Sequence, residues 1–496
     1  MVRSLGLAVV GAVLVLLIQS CAELKPLPSP RSREAACERF FGEMDRLVAE
    51  HGVADAGTAL IPDFPHLRID RFLASFVNKD LSHEAYAAWV ERLRKLDETA
   101  RLIEWRNLPS GAATRLQVHT PFGLRVRTAV DVCGHALAER DLKSPARRFR
   151  LLEHAKVPDA YSTWERVLGL YPLTRWAIAE GVLRVHRELR RPFLGKHENL
   201  SGTERRISYA PPAPETLGAA DVARILRQSA ANPLGIPEPA EDQLDRLFAS
   251  FAPIWTVETK SDNDRIGIAR IGADGKAYLD VTIPVVYRLA SHTRIGRQVL
   301  LQLNYLIWFP ARPAEGSLDI YAGHFDGFIW RVTLGADGKP LAYDSIHPCG
   351  CYYQIFPGEG YRVVQPQDGS EPVLSPTPIS RLKPGERLAI RLASRTHFIQ
   401  DITPERAVPA PATAYDWLDY DELRTLPAPN GRHRSLFDPD GLVRGSERPE
   451  RFLFWPMGIP SSGAMRQWGT HAIAFLGRRH FDDSRLLEKL LRPIRE

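Results

Sequence analysis

The 496-residue chain is 44% hydrophobic and 25% charged, close to the globular average, which excludes a disordered or collagen-like polymer. Its 65 basic and 59 acidic residues leave a formal net charge of +6, compatible with an anionic membrane surface but too small to mark a nucleic-acid binder. A chain of this length is expected to hold two or three domains.

At the N-terminus one cation, Arg3, precedes an uncharged apolar run from Leu5 to Ile18, followed by Gln19 and Ser20. This is the layout of a signal peptide over residues 1–20, and the run is shorter than the ~20 apolar residues a spanning helix needs. Ile18-Gln19-Ser20-Cys21 resembles the bacterial lipobox, in which cleavage before the cysteine accompanies acylation of its thiol; Gln19 stands where a small or β-branched residue is usual. The resemblance implies a palmitate-class lipid anchor on Cys21. Ala22 follows, not the aspartate of inner-membrane retention, so an outer-membrane lipoprotein facing the periplasm is expected before an inner-membrane one. An uncleaved anchor helix is the alternative, and it too tethers the chain to a membrane. Residues 21–33, with Pro26, Pro28 and Pro30, read as an extended tether.

Residues 34–198 read as a mainly helical domain. Glu34–His51 places Cys37, Phe40, Phe41, Met44, Leu47 and Val48 on one stripe, and Ser82 opens a second helix carrying Ala85, Trp89, Leu93 and Leu96. Between Thr114 and Arg127 apolar and polar residues alternate around Pro121-Phe122-Gly123, which predicts a hairpin or a bent strand pair. Arg175–Arg191 sets Trp176, Ile178, Val182, Leu183 and Val185 against a basic face; such a helix packs on a core or lies on a membrane. Residues 199–216, polar and then proline-rich, read as a linker.

Residues 217–496 read as a β-rich domain with flanking helices, two of them at Ala219–Ala230 and Glu241–Ala252. From Trp255 onward, turn-bounded runs rich in β-branched and aromatic residues predict an antiparallel sheet of six or more strands. Ile271-Gly-Ala-Asp-Gly-Lys276 and Leu334-Gly-Ala-Asp-Gly-Lys339 are two hairpin turns of one type. A short terminal helix is expected after Asp482, Asp483 or Ser484. The fold class is α+β, helices leading.

Four cysteines remain beyond Cys21, and an oxidising compartment permits two disulfides in any of three connectivities. Cys37–Cys133 with Cys349–Cys351 is the favoured pairing. If Asp337-Gly338 is a two-residue turn, Trp330 faces Ser345, Asp326 faces Cys349 and His324 faces Cys351. Alternation then puts His324, Asp326, His347, Cys349 and Cys351 on one face beside an apolar wall. That cluster has three readings: a disulfide or packed polar core, a zinc or copper site, or a redox pair. His324-x-Asp326 with His397 also resembles the facial triad of non-haem iron oxygenases, and Arg406 sits where that family places its co-substrate arginine. An exported compartment is poor in the ferrous iron and 2-oxoglutarate such enzymes need.

The chain holds no GxSxG, HExxH, Walker, GxGxxG or CxxC motif, which leaves the common hydrolase, dinucleotide and thioredoxin readings without support. VLLQLNYLIWFPARP, DGFIWRVTL, YDSIHPCGCYY and AMRQWGTHA resemble conserved lipoproteins of Gram-negative bacteria. The resemblance implies location and no activity. The expectation is a lipid-anchored envelope lipoprotein with a non-catalytic binding or structural role, its partner a protein or a small molecule. The alternative is a metal-dependent (zinc or copper) enzyme or metal-handling protein.

Overall fold

The computed structural model describes residues 30–77, 80–195, 205–212, 216–429 and 431–494; the segment read as a signal peptide, Cys21 and most of the segment read as a tether lie outside the described residues. The fold is α+β, with helices concentrated before residue 195 and strands after residue 250.

Helix α1 (Pro30–His51) buries its whole apolar stripe. That stripe packs on Val126, Val130 and Leu137, and Cys37 is bonded to Cys133 with a Cα separation of 5.2 Å. Helix α2 (His83–Asn107) begins where expected, the Ser82 hydroxyl accepting the Ala85 N–H. Strands β1 (Ala59–Ile61) and β2 (Phe64–Ile69) form a small hairpin beside α2. Between them runs a buried ion lattice: Arg68 holds Asp97 and Glu104, and Arg101 holds Asp97 and Asp45.

The hairpin expected between Thr114 and Arg127 is instead helical. Helix α3 (Ser110–Val118) and helix α4 (Val126–Leu142) are joined by one 3-10 turn at Pro121–Gly123. Ala112 and Leu116, then Val126, Ala129 and Val130, complete the core under α1, a helical spacing that overrides the short alternation. Gln117 closes the connection, its amide donating to the Leu124 carbonyl and its oxygen accepting the Val126 N–H. Helices α5 (Pro145–His154), α6 (Thr163–Leu168) and α7 (Tyr171–Arg190) finish this half.

Within the segment read as a linker, Arg206–Ala210 is strand β3. Helices α8 (Ala219–Ser229) and α9 (Glu241–Phe251) follow, each within a residue of its expected bounds. Strands β4 (Ile254–Glu258), β5 (Ile268–Ile271) and β6 (Ala277–Asp280) come next, then β7 (Val285–Ile295), β8 (Gln298–Arg312), β9 (Gly323–Leu334), β10 (Pro340–Ile346) and β11 (Gln354–Pro357). Strand β12 (Tyr361–Val363) is peripheral; β13 (Arg387–Leu392), β14 (Ile399–Glu405), β15 (Ala412–Ala414) and β16 (Asp416–Asp419) complete the two large sheets. One has six strands in the order β11-β10-β9-β8-β7-β16, the other five in the order β14-β13-β4-β3-β15.

The two sheets share a core. Odd residues of β8 such as Leu303, Tyr305 and Ile307, with Phe328, Trp330 and Val332 of β9, meet Trp255, Val257, Ile390 and Leu392 of the five-stranded sheet. Even residues such as Leu306 and Trp308 face the other way, under a largely irregular C-terminal segment that contributes Met465, Phe481 and Leu487. The central strands are therefore buried on both faces. Asp55 to Arg424 at 2.9 Å and Arg71 to Asp482 at 2.9 Å tie the helical half to this segment. Among the described residues no helix is long and apolar enough to cross a membrane.

The two Asp-Gly turns are alike, but neither is a two-residue turn. Gly272 donates to the Lys276 carbonyl and Gly335 to that of Lys339, so Ile271 pairs with Ala277 and Leu334 with Pro340. An irregularity between Pro340 and Ala342 then restores the expected register, and Val332 pairs with Tyr343 and Trp330 with Ser345. The terminal helix, Leu486–Leu490, starts after Arg485 with no side-chain cap; Asp483 binds the Arg485 N–H instead.

Candidate functional site

The β9–β10 ladder stops at Ile346, and beyond it the chain folds into a tight turn in which His347 donates to the Cys351 carbonyl and Gly350 to that of His347. Gly350 has φ +88, and a Cβ there would lie 2.3 Å from the Ala472 carbonyl oxygen, so only glycine lets the turn seat against the C-terminal segment. Pairing across from Asp326 to Cys349 and from His324 to Cys351 is thereby lost. Asp326 and His347 still share the inner face, as the register requires.

Asp326 is fully buried and lies at the centre of a charged hub. Its Oδ1 accepts from His347 Nδ1 at 3.2 Å and its Oδ2 from His397 Nδ1 at 2.8 Å. Arg448 Nη2 lies 3.4 Å from Oδ1 and donates to the Phe325 carbonyl at 3.0 Å. On the far side of His397, Nε2 is 3.5 Å from Asp264, whose carboxylate also takes the backbone N–H groups of Lys260 and Arg395. The His397 ring stacks flat on Phe309 at 3.8 Å, and Arg312 donates to the Tyr352 hydroxyl at 3.2 Å.

These contacts shift the proton affinities of the hub. Burial raises the Asp326 carboxyl, but His347, Arg448 and the two histidine hydrogen bonds outweigh it and hold the group well below the carboxylate range. Asp264 is likewise raised by burial, yet its bonds to His397 and the two N–H groups bring it to about 2. Burial lowers His397, but its two carboxylate neighbours raise it overall; His347 is lowered by burial more than Asp326 raises it. In the hub His397 and His347 both turn Nδ1 to Asp326, and their proton affinities are shifted in opposite directions, His397 up and His347 down. Burial pushes Glu450 up to about 7 despite Arg448 and Arg312.

Of the five side chains expected to converge, only Asp326 and His347 do so. His324 has the right parity to join them, but Phe325 between has φ +56, which breaks the strand alternation. Phe325 consequently enters the outer core beside Trp308, and His324 is turned to the exposed surface. The expected Cys349–Cys351 disulfide is not formed; both thiols are free, Cys349 buried and Cys351 half-buried. In the turn the Cys351 N–H points at Cys349 Sγ at 3.4 Å, and the Cys351 thiol is held well above its usual range by the Cys349 thiol and by burial. A thiol held toward its protonated form is the weaker nucleophile, which weighs against a thiolate at Cys351.

The metal readings meet the same difficulty. Among the described residues no group of three His, Cys, Asp or Glu side chains is arranged to hold a metal ion. The histidine nitrogens nearest each other are both engaged with Asp326, and the Arg448 cation occupies its remaining flank. His397 does reach Asp326, as the facial-triad resemblance implies, but through a hydrogen bond from Nδ1 rather than as a co-ligand. Arg406, exposed and 3.5 Å from Glu386, stands elsewhere.

Sequence reasoning missed Asp264, Arg312, Arg448 and Glu450. They come from three separate segments, a turn at Asp264, the end of β8 at Arg312 and the loop carrying Arg448 and Glu450, with no shared spacing to bring them together. One signal is physical: Phe325, Tyr352, Arg395 and His397 all have positive φ and all adjoin the hub. Such backbones cost about 1–3 kcal/mol each and persist only where the surroundings over-determine them.

Outside the hub, His324 and Phe325 line an open cleft of about 1410 Å3. The β5–β6 turn, residues 432–437 and Arg444 form one side, and His51–Val53 with Asn107 of the helical half form another. The floor is apolar, from Ile271, Leu279, Leu436 and Phe437, whereas Lys276, Arg432, Arg434 and Arg444 on the rim face a single acid, Asp274. Arg434 also donates to the Gly275 carbonyl at 2.6 Å, fixing the β5–β6 turn as a wall. No protein-family model, curated protein or solved structure matches the chain.

Proposed function

We propose that this is a lipid-anchored envelope lipoprotein that binds an extended anionic partner in the cleft, without transforming it. The anchor reading rests on Arg3, the apolar run and Cys21, and the Cys37–Cys133 disulfide supports an oxidising compartment. The observation that carries the binding reading is the contrast between the cleft and the hub. In the hub the Asp326 carboxylate is taken up by His347, His397 and Arg448, which makes it a structural centre rather than a reactive group. The cleft is larger than the ~300–1,000 Å3 of a small-molecule pocket, and its apolar floor under a cationic rim suits an elongated acidic ligand.

A heparin oligosaccharide serves as an anionic probe for calorimetric titration of the full chain in detergent, with dextran as the neutral control. The expected result is salt-sensitive binding of heparin alone, weakened tenfold or more in the Lys276→Ala/Arg444→Ala double variant. Equal binding by that variant, or none by the native chain at low salt, overturns the reading.

A further inference from the structure

Helix α7 was expected either to pack on a core or to lie on a membrane, and of its twenty residues only Leu189 is buried. The apolar side chains withheld from the core along α6, α7 and the residues between them are large. Trp164 is 64% exposed, Trp176 74%, and Leu168, Leu170 and Leu173 are exposed beside them. The patch continues onto residues 452–455, where Phe452 is 72% exposed. These segments are one surface: Ser162 donates to the Gly458 carbonyl at 2.7 Å, and a Cβ on Gly169 would lie 2.5 Å from that of Pro456. Monomeric proteins seldom leave contiguous apolar surface of this kind without a use for it.

From this surface we infer that α6, α7 and residues 452–455 form a membrane-docking face that inserts shallowly into an anionic phospholipid bilayer. Three observations select that occupant. Tryptophan, leucine and phenylalanine flanked by arginine is the composition of an interfacial element, whose aromatic rings sit at headgroup depth while guanidiniums reach the phosphates. Arg175 lies 5.8 Å from the Trp176 ring and Arg451 4.8 Å from Phe452, so a cation stands beside an exposed ring in α7 and at residue 452. Between Thr163 and Arg191 there are six arginines against three glutamates, a balance that attracts an anionic surface and opposes a self-complementary contact with a second copy.

The inference rests on the anchor reading for its geometry. The chain from Cys21 to Pro30 reaches at most about 30 Å when fully extended. A folded chain of this length has a radius of gyration of about 23 Å. An acylated Cys21 therefore holds the body close enough to the bilayer for one face to meet it.

The test labels Leu173→Cys with an environment-sensitive fluorophore in the full chain, reconstituted in vesicles of phosphatidylethanolamine and phosphatidylglycerol. The same label at Asp440→Cys, an exposed position outside the patch, is the control. The expected result is a blue shift with a severalfold rise in intensity at position 173 only, quenched by spin-labelled lipid and reduced in neutral phosphatidylcholine. Trp164→Gln with Trp176→Gln, both at exposed positions, is expected to abolish it while leaving the thermal transition in place. An unresponsive label at 173, or protection that follows protein concentration in detergent without vesicles, overturns the inference; the latter identifies a second copy as the occupant. Intact mass reports the anchor separately. An acylated Cys21 with an unresponsive label sinks the docking face alone, and an unmodified Cys21 with a responsive one sinks the anchor alone.

Discussion

The hub around Asp326 and the cleft rim around His324 are made of the same side-chain types and begin two residues apart on one strand. In the first, histidine, arginine and aspartate lie out of water around one shared carboxylate; in the second, histidine, arginine, lysine and aspartate are exposed around an open volume. The single backbone inversion at Phe325 separates them. Residue type therefore says little about role here, and exposure says most. Buried, the charges weld β9, the 347–352 turn and the 395–397 loop to the C-terminal segment; exposed, they stand around an open volume that a ligand can enter.

The largest expected effect comes from breaking the hub. Asp326→Ala leaves His397 and Arg448 without their shared anion, and losing one member of a buried charge network costs about 3–5 kcal/mol. His324→Ala on the rim is expected to change stability by about 0.5 kcal/mol or less. Denaturant titration of the two variants checks both, and similar losses at the two positions would erase the distinction between the regions.

A somewhat smaller loss belongs to the helical half. Cys37 and Cys133 close a loop of 96 residues in sequence separation, and removing such a crosslink costs about 2–4 kcal/mol. Cys37→Ala with Cys133→Ala should lower the unfolding midpoint of the native chain, while reduction should leave the double variant's midpoint unchanged. A midpoint that reduction still moves would place a disulfide at Cys349 and Cys351 after all.

Much of this was legible in the sequence. The α1 stripe, the Ser82 cap, α8, α9 and the alternation that puts Asp326 and His347 on one face all follow from local periodicity. The Cys37–Cys133 bond follows from a short list of possibilities. What was not legible depends on contacts distant in sequence or on single dihedral angles. Arg448 reaches Asp326 from across the C-terminal segment, and nothing near residue 325 announces a left-handed phenylalanine. The Thr114–Arg127 alternation misled because burial under α1 decides that region, and burial is a tertiary quantity. The exposure of α7 was equally hidden, since an amphipathic helix looks the same whether or not a core exists to receive it.

The smallest effect sharpens the comparison within the hub itself, where two histidines share one carboxylate with opposite shifts. His397 is raised above its ordinary 6.5, so its stabilisation is complete below about that pH and is lost as pH rises through its folded value. His347 is depressed below 6.5, so the unfolded chain takes up protons more readily there, and stability falls as pH drops below the unfolded value. Asp264, brought to about 2, adds an acid-side loss only as pH falls from 3.8 toward that value, well outside the histidine window. Melting curves between pH 5 and 8 should therefore show that His397→Gln flattens the alkaline limb and His347→Gln the acid limb, each measured against the native chain. Identical pH profiles in the two variants would mean that the two rings shift in the same direction, and the opposed shifts of His397 and His347 would fall.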